Sequence, residues 1–185
     1  HPHVSNNQIA VVHNGIIENH ESQCSRLKKL GYKFESETDT EVIAHLIHYY
    51  YQSKQNLLKA TQLATNDLVG AYAIAVISVD KKDELICARL GCPLIIGQGK
   101  SEYFAASDIS ALLGVTRKII YLEDGDLAKI SKTSLDIYNS KLRKVVRKVN
   151  HSKVKISSMD LGPHDHFMQK EIYEQPRAIG DTIEA

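Results

Sequence analysis

Three short segments of this sequence carry residue types that could bind or polarise a substrate. The first is His13-Asn14-Gly15, which follows an apolar run at residues 9–12. The side-chain amide of Asn14 and the backbone N–H of Gly15 could converge on one oxygen atom, as an oxyanion hole requires. Because Asn-Gly is also a common hairpin turn, this segment taken alone favours a structural role over a catalytic one.

The second and third segments combine charged residues with helix signals. Residues 36–41, Ser-Glu-Thr-Asp-Thr-Glu, place Asp39 where a helix should begin. A carboxylate at that position can cap the unpaired N–H groups of the first turn, or it can bind a substrate ammonium. Residues 168–176 have the charge pattern of an amphipathic helix, which Pro176 should break or restart near Gln175. Neither segment decides the function by itself.

The elements that must position these segments form a helical block followed by a strand-rich block. Residues 9–12 should form a buried strand that feeds a tight turn at residues 13–15. Several later strands are apolar at consecutive positions, which predicts sheets covered on both faces by helices or by another sheet. We expect helices at residues 18–30, 38–50, 57–68, 107–113 and 167–183, and strands at residues 71–79, 85–89, 94–97, 103–106, 118–122, 127–131 and 135–138.

The charge balance gives no electrostatic reason to expect nucleic acid or an anionic membrane as a partner. Lys and Arg number 23 and Asp and Glu number 22, so the formal net charge is +1. The basic run at residues 141–148 is interleaved with valines, as on the solvated face of a strand or loop, and phosphate binding is the alternative. No stretch approaches the roughly eighteen apolar residues of a membrane span, so we expect a soluble, cytoplasmic protein.

The cysteines and histidines form no recognisable disulfide or metal pattern. Cys87 and Cys92 should be core residues and Cys24 an ordinary helix residue, all three as reduced thiols. His45 and His48 lie three apart on a predicted helix and should pack rather than bind metal. A third hypothesis is a metal site formed by His1, His3, His164 and His166. No set of carboxylates or thiols completes such a site, so we expect no metal and no cofactor.

Taken together and in this order, the segments resemble one family of proteins. The chain is similar to the glutaminase domain, a class II glutamine amidotransferase, of the glutamine:fructose-6-phosphate aminotransferases. The resemblance runs from His1 almost to Ala185, and the string at residues 170–176 separates this family from its phosphoribosyl-transferring and asparagine-making relatives. The matching segments are His1-Pro2-His3-Val4-Ser5, residues 12–19, residues 36–45 and residues 168–176.

The resemblance implies a fold and a division of the chain. The expected fold class is α+β, with the four-layer αββα sandwich of N-terminal-nucleophile hydrolases, incomplete at the N-terminus. Residues 1–162 should form the glutaminase domain without its N-terminal segment. Residues 163–185 should form a helical hinge that leads towards an isomerase domain absent from this sequence. The polar segment at residues 150–166 should be mobile.

The resemblance also implies roles for individual residues. Asn14 and Gly15 match the oxyanion hole, and Asp39 matches the carboxylate that pairs with the α-ammonium of glutamine. Glutamine is then the expected ligand, and its ammonia would pass to the isomerase domain, which aminates fructose 6-phosphate to glucosamine 6-phosphate. The parent enzyme is expected to be a homo-oligomer.

The first residue departs from the family pattern. The family uses an N-terminal cysteine thiolate to attack the glutamine amide, with its own α-amino group as base, and here position 1 is His. None of the three cysteines aligns with that nucleophile, so we expect this polypeptide alone not to hydrolyse glutamine. We also expect it to expose sheet edges and apolar surface. The alternative hypothesis is a non-catalytic module that binds a ligand or a partner on the same scaffold.

Overall fold

The computed structural model describes residues 1–153 and 161–184, and its contacts divide the chain into two compact units. The first unit covers His1–Ser152 and the second covers Lys153–Ala185. Residues 154–160 lie outside the described residues. They form the middle of the segment at residues 150–166 for which we expected mobility. No helix among the described residues is long and apolar enough to cross a membrane.

The first unit is built on two antiparallel sheets. Its strands are β1 (His3–Ser5), β2 (Ile9–Ile17), β3 (Gly70–Ser78), β4 (Leu85–Leu90), β5 (Ile95–Gln98), β6 (Tyr103–Ala106), β7 (Lys118–Tyr121), β8 (Leu127–Ile130), β9 (Leu135–Tyr138), β10 (Lys144–Val145) and β11 (Val149–His151). The larger sheet has seven strands in the order β1-β2-β3-β4-β8-β9-β10, and the smaller sheet has four in the order β11-β7-β5-β6.

Helices cover the outer faces of this pair of sheets. The helices of the first unit are α1 (His20–Lys29), α2 (Asp39–Lys54), α3 (Leu57–Asp67) and a 3₁₀ helix (Ile109–Leu112). One buried core joins the three α-helices to the larger sheet, and a second core fills the space between the two sheets. A small third core lies between the 3₁₀ helix and the smaller sheet. The layers therefore follow the order helix, sheet, sheet, 3₁₀ helix.

The second unit contains one described helix, α4 (Phe167–Glu184). We expected Pro176 to break this helix, and that prediction is wrong, because α4 runs through Pro176. A proline keeps a helical φ and removes only one N–H donor, so an exposed helix can continue through it at some cost. Several apolar side chains of α4 are exposed, including Met168 at 71% and Tyr173 at 69%.

The prediction of a tight turn at residues 13–15 is wrong as well. These residues lie inside β2, which continues to Ile17 and pairs with β3 over its whole length. Gly15 has a φ of 135°, and a Cβ atom on it would overlap the carbonyl oxygen of Ala71 in β3. The glycine is therefore required by the close approach of the neighbouring strand rather than by a turn.

Arg147 corrects the interpretation of the basic run as a solvated face. Its guanidinium forms two hydrogen bonds, at 2.8 and 2.9 Å, with the carboxylate of Asp126, whose side chain is 1% exposed. It also pairs with Glu123 at 2.8 Å. Because the fork of Arg147 matches both oxygens of a buried carboxylate, it joins the segment after β10 to the turn before β8.

Removing Arg147 should therefore destabilise the fold. In an Arg147→Ala variant the Asp126 carboxylate stays buried without its cation, and we expect a loss of about 3–5 kcal/mol in the free energy of unfolding. Urea denaturation measures this loss. The matched control is Lys132→Ala, which breaks an exposed pair with Asp83 and should change stability by less than about 1 kcal/mol. Equal effects of the two variants would contradict the assignment of Arg147.

Candidate functional site

Strand β2 presents the predicted oxyanion residue to the space between the two sheets. Asn14 is exposed and lies directly opposite Ala73 of β3, and Ala73 belongs to the core between the sheets. Since directly opposite residues of an antiparallel pair share a face, the Asn14 amide points towards the smaller sheet. The preceding residue, His13, faces α2 instead, because side chains alternate along a strand.

Asn14 lines an open cavity at this end of the sheet pair. The cavity has a volume of about 160 Å³, and its walls come from β2, β3 and β6, with Leu94 and His1 beside them. Most of the lining residues are apolar, with the amide of Asn14 among the few polar groups. A space of this size suits a small polar group such as a side-chain amide better than a cofactor.

The backbone of β2 brings Gly15 to the same edge as Asp39. The Ile17 N–H donates to the Asp39 Oδ2 at 2.8 Å. Because the N–H groups of alternate residues point to the same side of a strand, the Gly15 N–H is directed to the side where Asp39 lies. Strand β1 pairs with β2 only at residues 9–11, so the edge at Gly15 is not covered by β1.

Asp39 holds its position through β2 and not through its own helix. Of the two alternatives for Asp39, a helix cap or an ammonium ligand, the first is not what its contacts show: the Asp39 Oδ2 accepts a hydrogen bond from the Ile17 N–H of β2. The N-cap residue, Thr38, makes no side-chain cap bond with any described residue. The Asp39 side chain is 23% exposed, so its second oxygen, Oδ1, can still accept a hydrogen bond from a ligand.

Glu41 anchors the loop that leads into α2. Its carboxylate accepts the N–H groups of Glu35 and Ser36, each at 2.8 Å, and the Ser36 hydroxyl at 2.5 Å. Burial opposes the charged form, but the hydrogen bonds outweigh it and lower the pKa of Glu41 below its ordinary value. A charged Glu41 therefore fixes the residues just before Asp39.

His13 lies in the interface between β2 and α2, next to Asp39. Its Nδ1 is 3.1 Å from the Thr40 Oγ1 and 3.8 Å from the Asp39 Oδ1. Its Nε2 is buried and has no hydrogen-bond partner among the described residues. Burial lowers the pKa of His13 below its ordinary value of 6.5, although the Asp39 carboxylate acts in the opposite direction. The ring is therefore neutral at pH 7.

His45 and His48 are packing residues of α2, as predicted, and both have hydrogen-bond partners. The His45 Nδ1 is 2.8 Å from the Ser5 Oγ of β1, and its Nε2 is 3.1 Å from the Lys33 carbonyl oxygen. The Tyr32 hydroxyl is 2.7 Å from the His48 Nδ1. Burial is the main reason why the pKa of each histidine lies below 6.5. These contacts join β1 and the loop after α1 to α2.

Asn19 was not among the predicted site residues, but it holds the end of the strand that carries them. Its Nδ2 donates to the Asp67 carbonyl oxygen at 2.8 Å, and its Oδ1 accepts the Val69 N–H at 3.0 Å. The two bonds fix the end of β2 against the segment between α3 and β3. An asparagine between a strand and a helix start often bonds to backbone groups, so the sequence did contain this signal.

The three thiols belong to the structure rather than to the cavity. Cys87 is fully buried in β4, and burial raises the pKa of its thiol to about 12. Cys24 packs against the core under the helices, and Cys92 packs against the core between the sheets. None of these described cysteines lines the cavity beside Asn14.

The predicted metal ligands have other contacts. The rings of His1 and His3 lie edge to face at 5.8 Å, and His3 is 3.1 Å from the Thr38 hydroxyl. In the second unit, His164 stacks on Tyr173. Within residues 1–153 and 161–184, no three His, Cys, Asp or Glu side chains gather so that they could hold a metal ion.

Two stacked antiparallel sheets between helical layers are the fold of the glutamine amidotransferases of the N-terminal-nucleophile type. The chain superposes on the Bacillus subtilis glutamine phosphoribosylpyrophosphate amidotransferase complexed with ADP and GMP, with a TM-score of 0.65 and 27% identity over 77% of this chain and 31% of that one. The structure of the allosteric regulatory enzyme of purine biosynthesis gives a TM-score of 0.64 and 29% identity over the same shares. The predicted α+β fold is confirmed.

Residues 1–114 match the family model described as "Glutamine amidotransferase domain", and the chain belongs to this family. Over its full length it is 52% identical to the glutamine--fructose-6-phosphate aminotransferase [isomerizing] of Xanthomonas campestris and 55% identical to that of Neisseria meningitidis serogroup A. It spans 30% of the length of each relative. The resemblance found in the sequence is confirmed.

The three buried histidines make stability depend on pH. The pKa values of His13, His45 and His48 are lowered in the folded state, so the unfolded chain binds more protons below pH 6.5. The free energy of unfolding therefore decreases as the pH is lowered. Each histidine can contribute up to about 1.4 kcal/mol per pH unit in this range. Urea denaturation between pH 7.5 and 5.5 measures the slope.

Replacing one buried histidine tests whether these residues cause the pH dependence of stability. A His48→Gln variant takes up fewer protons on unfolding, so its stability should fall less steeply between pH 6.5 and 5.5. The control is His151→Gln, which replaces an exposed histidine of β11 and should leave the slope unchanged. If His48→Gln and the unchanged protein have the same slope, the buried histidines are not its source.

Proposed function

We propose that this domain binds glutamine and hydrolyses its side-chain amide within a glutamine:fructose-6-phosphate aminotransferase. The Asn14 amide and the Gly15 N–H stabilise the oxyanion of the tetrahedral intermediate, and Asp39 binds the α-ammonium of the substrate. One observation carries the proposal: the Ile17 N–H joins the Asp39 carboxylate to the strand that holds Asn14 and Gly15. The groups for the amide and for the amine are therefore attached to one rigid element.

The chemistry of each group fits its proposed role. Asn14 and Gly15 supply neutral N–H donors, which can stabilise a negative oxygen without carrying a charge before the reaction starts. Asp39 supplies a carboxylate with one oxygen engaged and the other available, which suits a single ammonium group. In this class of enzyme an N-terminal cysteine thiolate attacks the amide, and a thioester forms while ammonia leaves.

The wider activity is proposed from the relatives, which are named for fructose 6-phosphate amination. We assign the released ammonia to an isomerase domain that makes glucosamine 6-phosphate, in a cytoplasmic and homo-oligomeric enzyme. The helical segment at residues 163–185 is proposed as the hinge towards that domain. Because the chain spans 30% of its relatives' length, activity is best tested in the full-length protein.

Replacing Asn14 tests the oxyanion assignment. In the full-length protein, Asn14→Ala removes one donor to the intermediate, so kcat for glutamine hydrolysis should fall by about 10²- to 10³-fold while KM changes little. Ammonia release measures both constants. Asn150→Ala, the same change in β11, is the matched control and should leave kcat unchanged. A normal kcat for Asn14→Ala would remove Asn14 from the oxyanion hole.

Replacing Asp39 tests the ammonium assignment. An Asp39→Asn side chain still offers an acceptor to the Ile17 N–H but loses its charge, so the ammonium loses a charge-assisted bond of about 1.5–3 kcal/mol. KM for glutamine should therefore rise by about 10- to 100-fold. The matched control is Asp83→Asn, a change at an exposed residue. An unchanged KM for Asp39→Asn would contradict the assignment, and binding without turnover in the unsubstituted protein would favour a non-catalytic module.

A further inference from the structure

His13 occupies a position where an apolar residue would cost less to bury. Three β2 residues that face the helices with it, Ile9, Val11 and Ile17, are fully buried and apolar. The His13 side chain is 2% exposed, so its polar ring has been taken out of water in the middle of that row. The polar groups that it meets there belong to the first turn of α2, which carries Asp39.

The hydrogen-bonding pattern identifies the tautomer of the ring. A neutral imidazole has one donor and one acceptor nitrogen. The His13 Nε2 is buried without a partner among the described residues, and a proton there would leave an unpaired donor, which proteins rarely tolerate. A proton on Nδ1 instead can be donated to the Thr40 Oγ1 at 3.1 Å, while the Asp39 Oδ1, at 3.8 Å, is near but beyond hydrogen-bond distance. The structure therefore favours the Nδ1–H tautomer.

This tautomer places a neutral N–H beside the one oxygen of Asp39 that β2 does not use. The Ile17 N–H engages Oδ2 at 2.8 Å, and the His13 Nδ1 lies on the side of Oδ1. The His13 N–H is hydrogen-bonded to the Thr40 Oγ1, so it ties the residue next to Asp39 to β2, while the Ile17 N–H holds the Asp39 carboxylate itself. Neither donor carries a charge, so the full negative charge of Asp39 remains available to a ligand.

We propose that His13 is a positioning residue, which holds the first turn of α2, and with it the Asp39 carboxylate, in place for an ammonium group without neutralising its charge. This inference rests on the proposed function, because it concerns the residue that we assign to the ammonium of glutamine. His13 itself contacts α2 and is not proposed to touch the substrate. Its loss should therefore affect binding much more than the chemical step.

Two substitutions separate positioning from packing. His13→Leu keeps an apolar group in an apolar row but removes the donor, whereas His13→Asn keeps an N–H near the place of Nδ1. In the full-length protein we expect His13→Leu to raise KM for glutamine by about 10-fold, with kcat within about 2-fold, and His13→Asn to restore most of the loss. If the ring only filled space, the order would be reversed, with His13→Leu the better of the two.

A ligand without the ammonium gives a second readout. Glutarate matches glutamate except for the α-amino group, so His13→Leu should weaken inhibition by glutamate and leave inhibition by glutarate unchanged. His48→Leu is the matched control, because it replaces another buried histidine of α2 nine residues beyond Asp39, about 13 Å along the helix. Thermal unfolding of each variant identifies any that fail to fold.

The double variant with Asp39→Asn distinguishes failure of this inference from failure of the proposed function. If Asp39→Asn raises KM and His13→Leu adds nothing further on that background, His13 acts through Asp39. If Asp39→Asn raises KM but His13→Leu alone does not, the positioning role is wrong and the proposed function stands. If Asp39→Asn itself leaves KM unchanged, the proposed function fails first.

Discussion

The hydrogen bond from the Ile17 N–H to the Asp39 carboxylate connects the two elements on which the candidate site depends. Strand β2 carries Asn14 and Gly15, and helix α2 begins at Asp39. Without a fixed contact, these elements could slide relative to each other by the ångström or so that decides whether two binding groups fit one molecule. At 2.8 Å the bond sets that distance at the strand itself, only three residues from Asn14.

The interface around this bond is polar in a place where helices and sheets usually meet through apolar side chains. Ser5, Glu41, His45 and His13 are all buried there, and each unpaired group would cost about 1–3 kcal/mol. Most of the cost is offset, because Glu41 binds the loop before α2 and His45 joins that loop to β1. The result is a first turn of α2 held from three directions, which restricts the carboxylate of Asp39 more than packing alone could do.

Periodicity recovered the helices and most strands because the cores are formed by regular apolar patterns, as in β3 and α2. It failed at residues 13–15, because an Asn-Gly pair occurs both in hairpin turns and in strands that pass close to a neighbouring strand. It failed at Arg147 because the partner, Asp126, lies 21 residues away, and no local pattern shows such a contact. The roles proposed for Asn14, Gly15 and Asp39 came from the family resemblance, while the contacts of His13 could be found only in the structure.

The failed turn prediction also explains how one short segment can serve several purposes. In a turn, the Asn14 amide and the Gly15 N–H would be directed by the same few backbone angles. In a strand, neighbouring side chains alternate: the side chain of Asn14 points to the cavity between the sheets and His13 points back to α2, while the Gly15 N–H follows Asn14 directly at the free edge of β2. A continuous β2 therefore keeps Asn14 and Gly15 adjacent and places His13 on the opposite face, while the ladder with β3 keeps all three in register, and a glycine at position 15 is what allows β3 to approach.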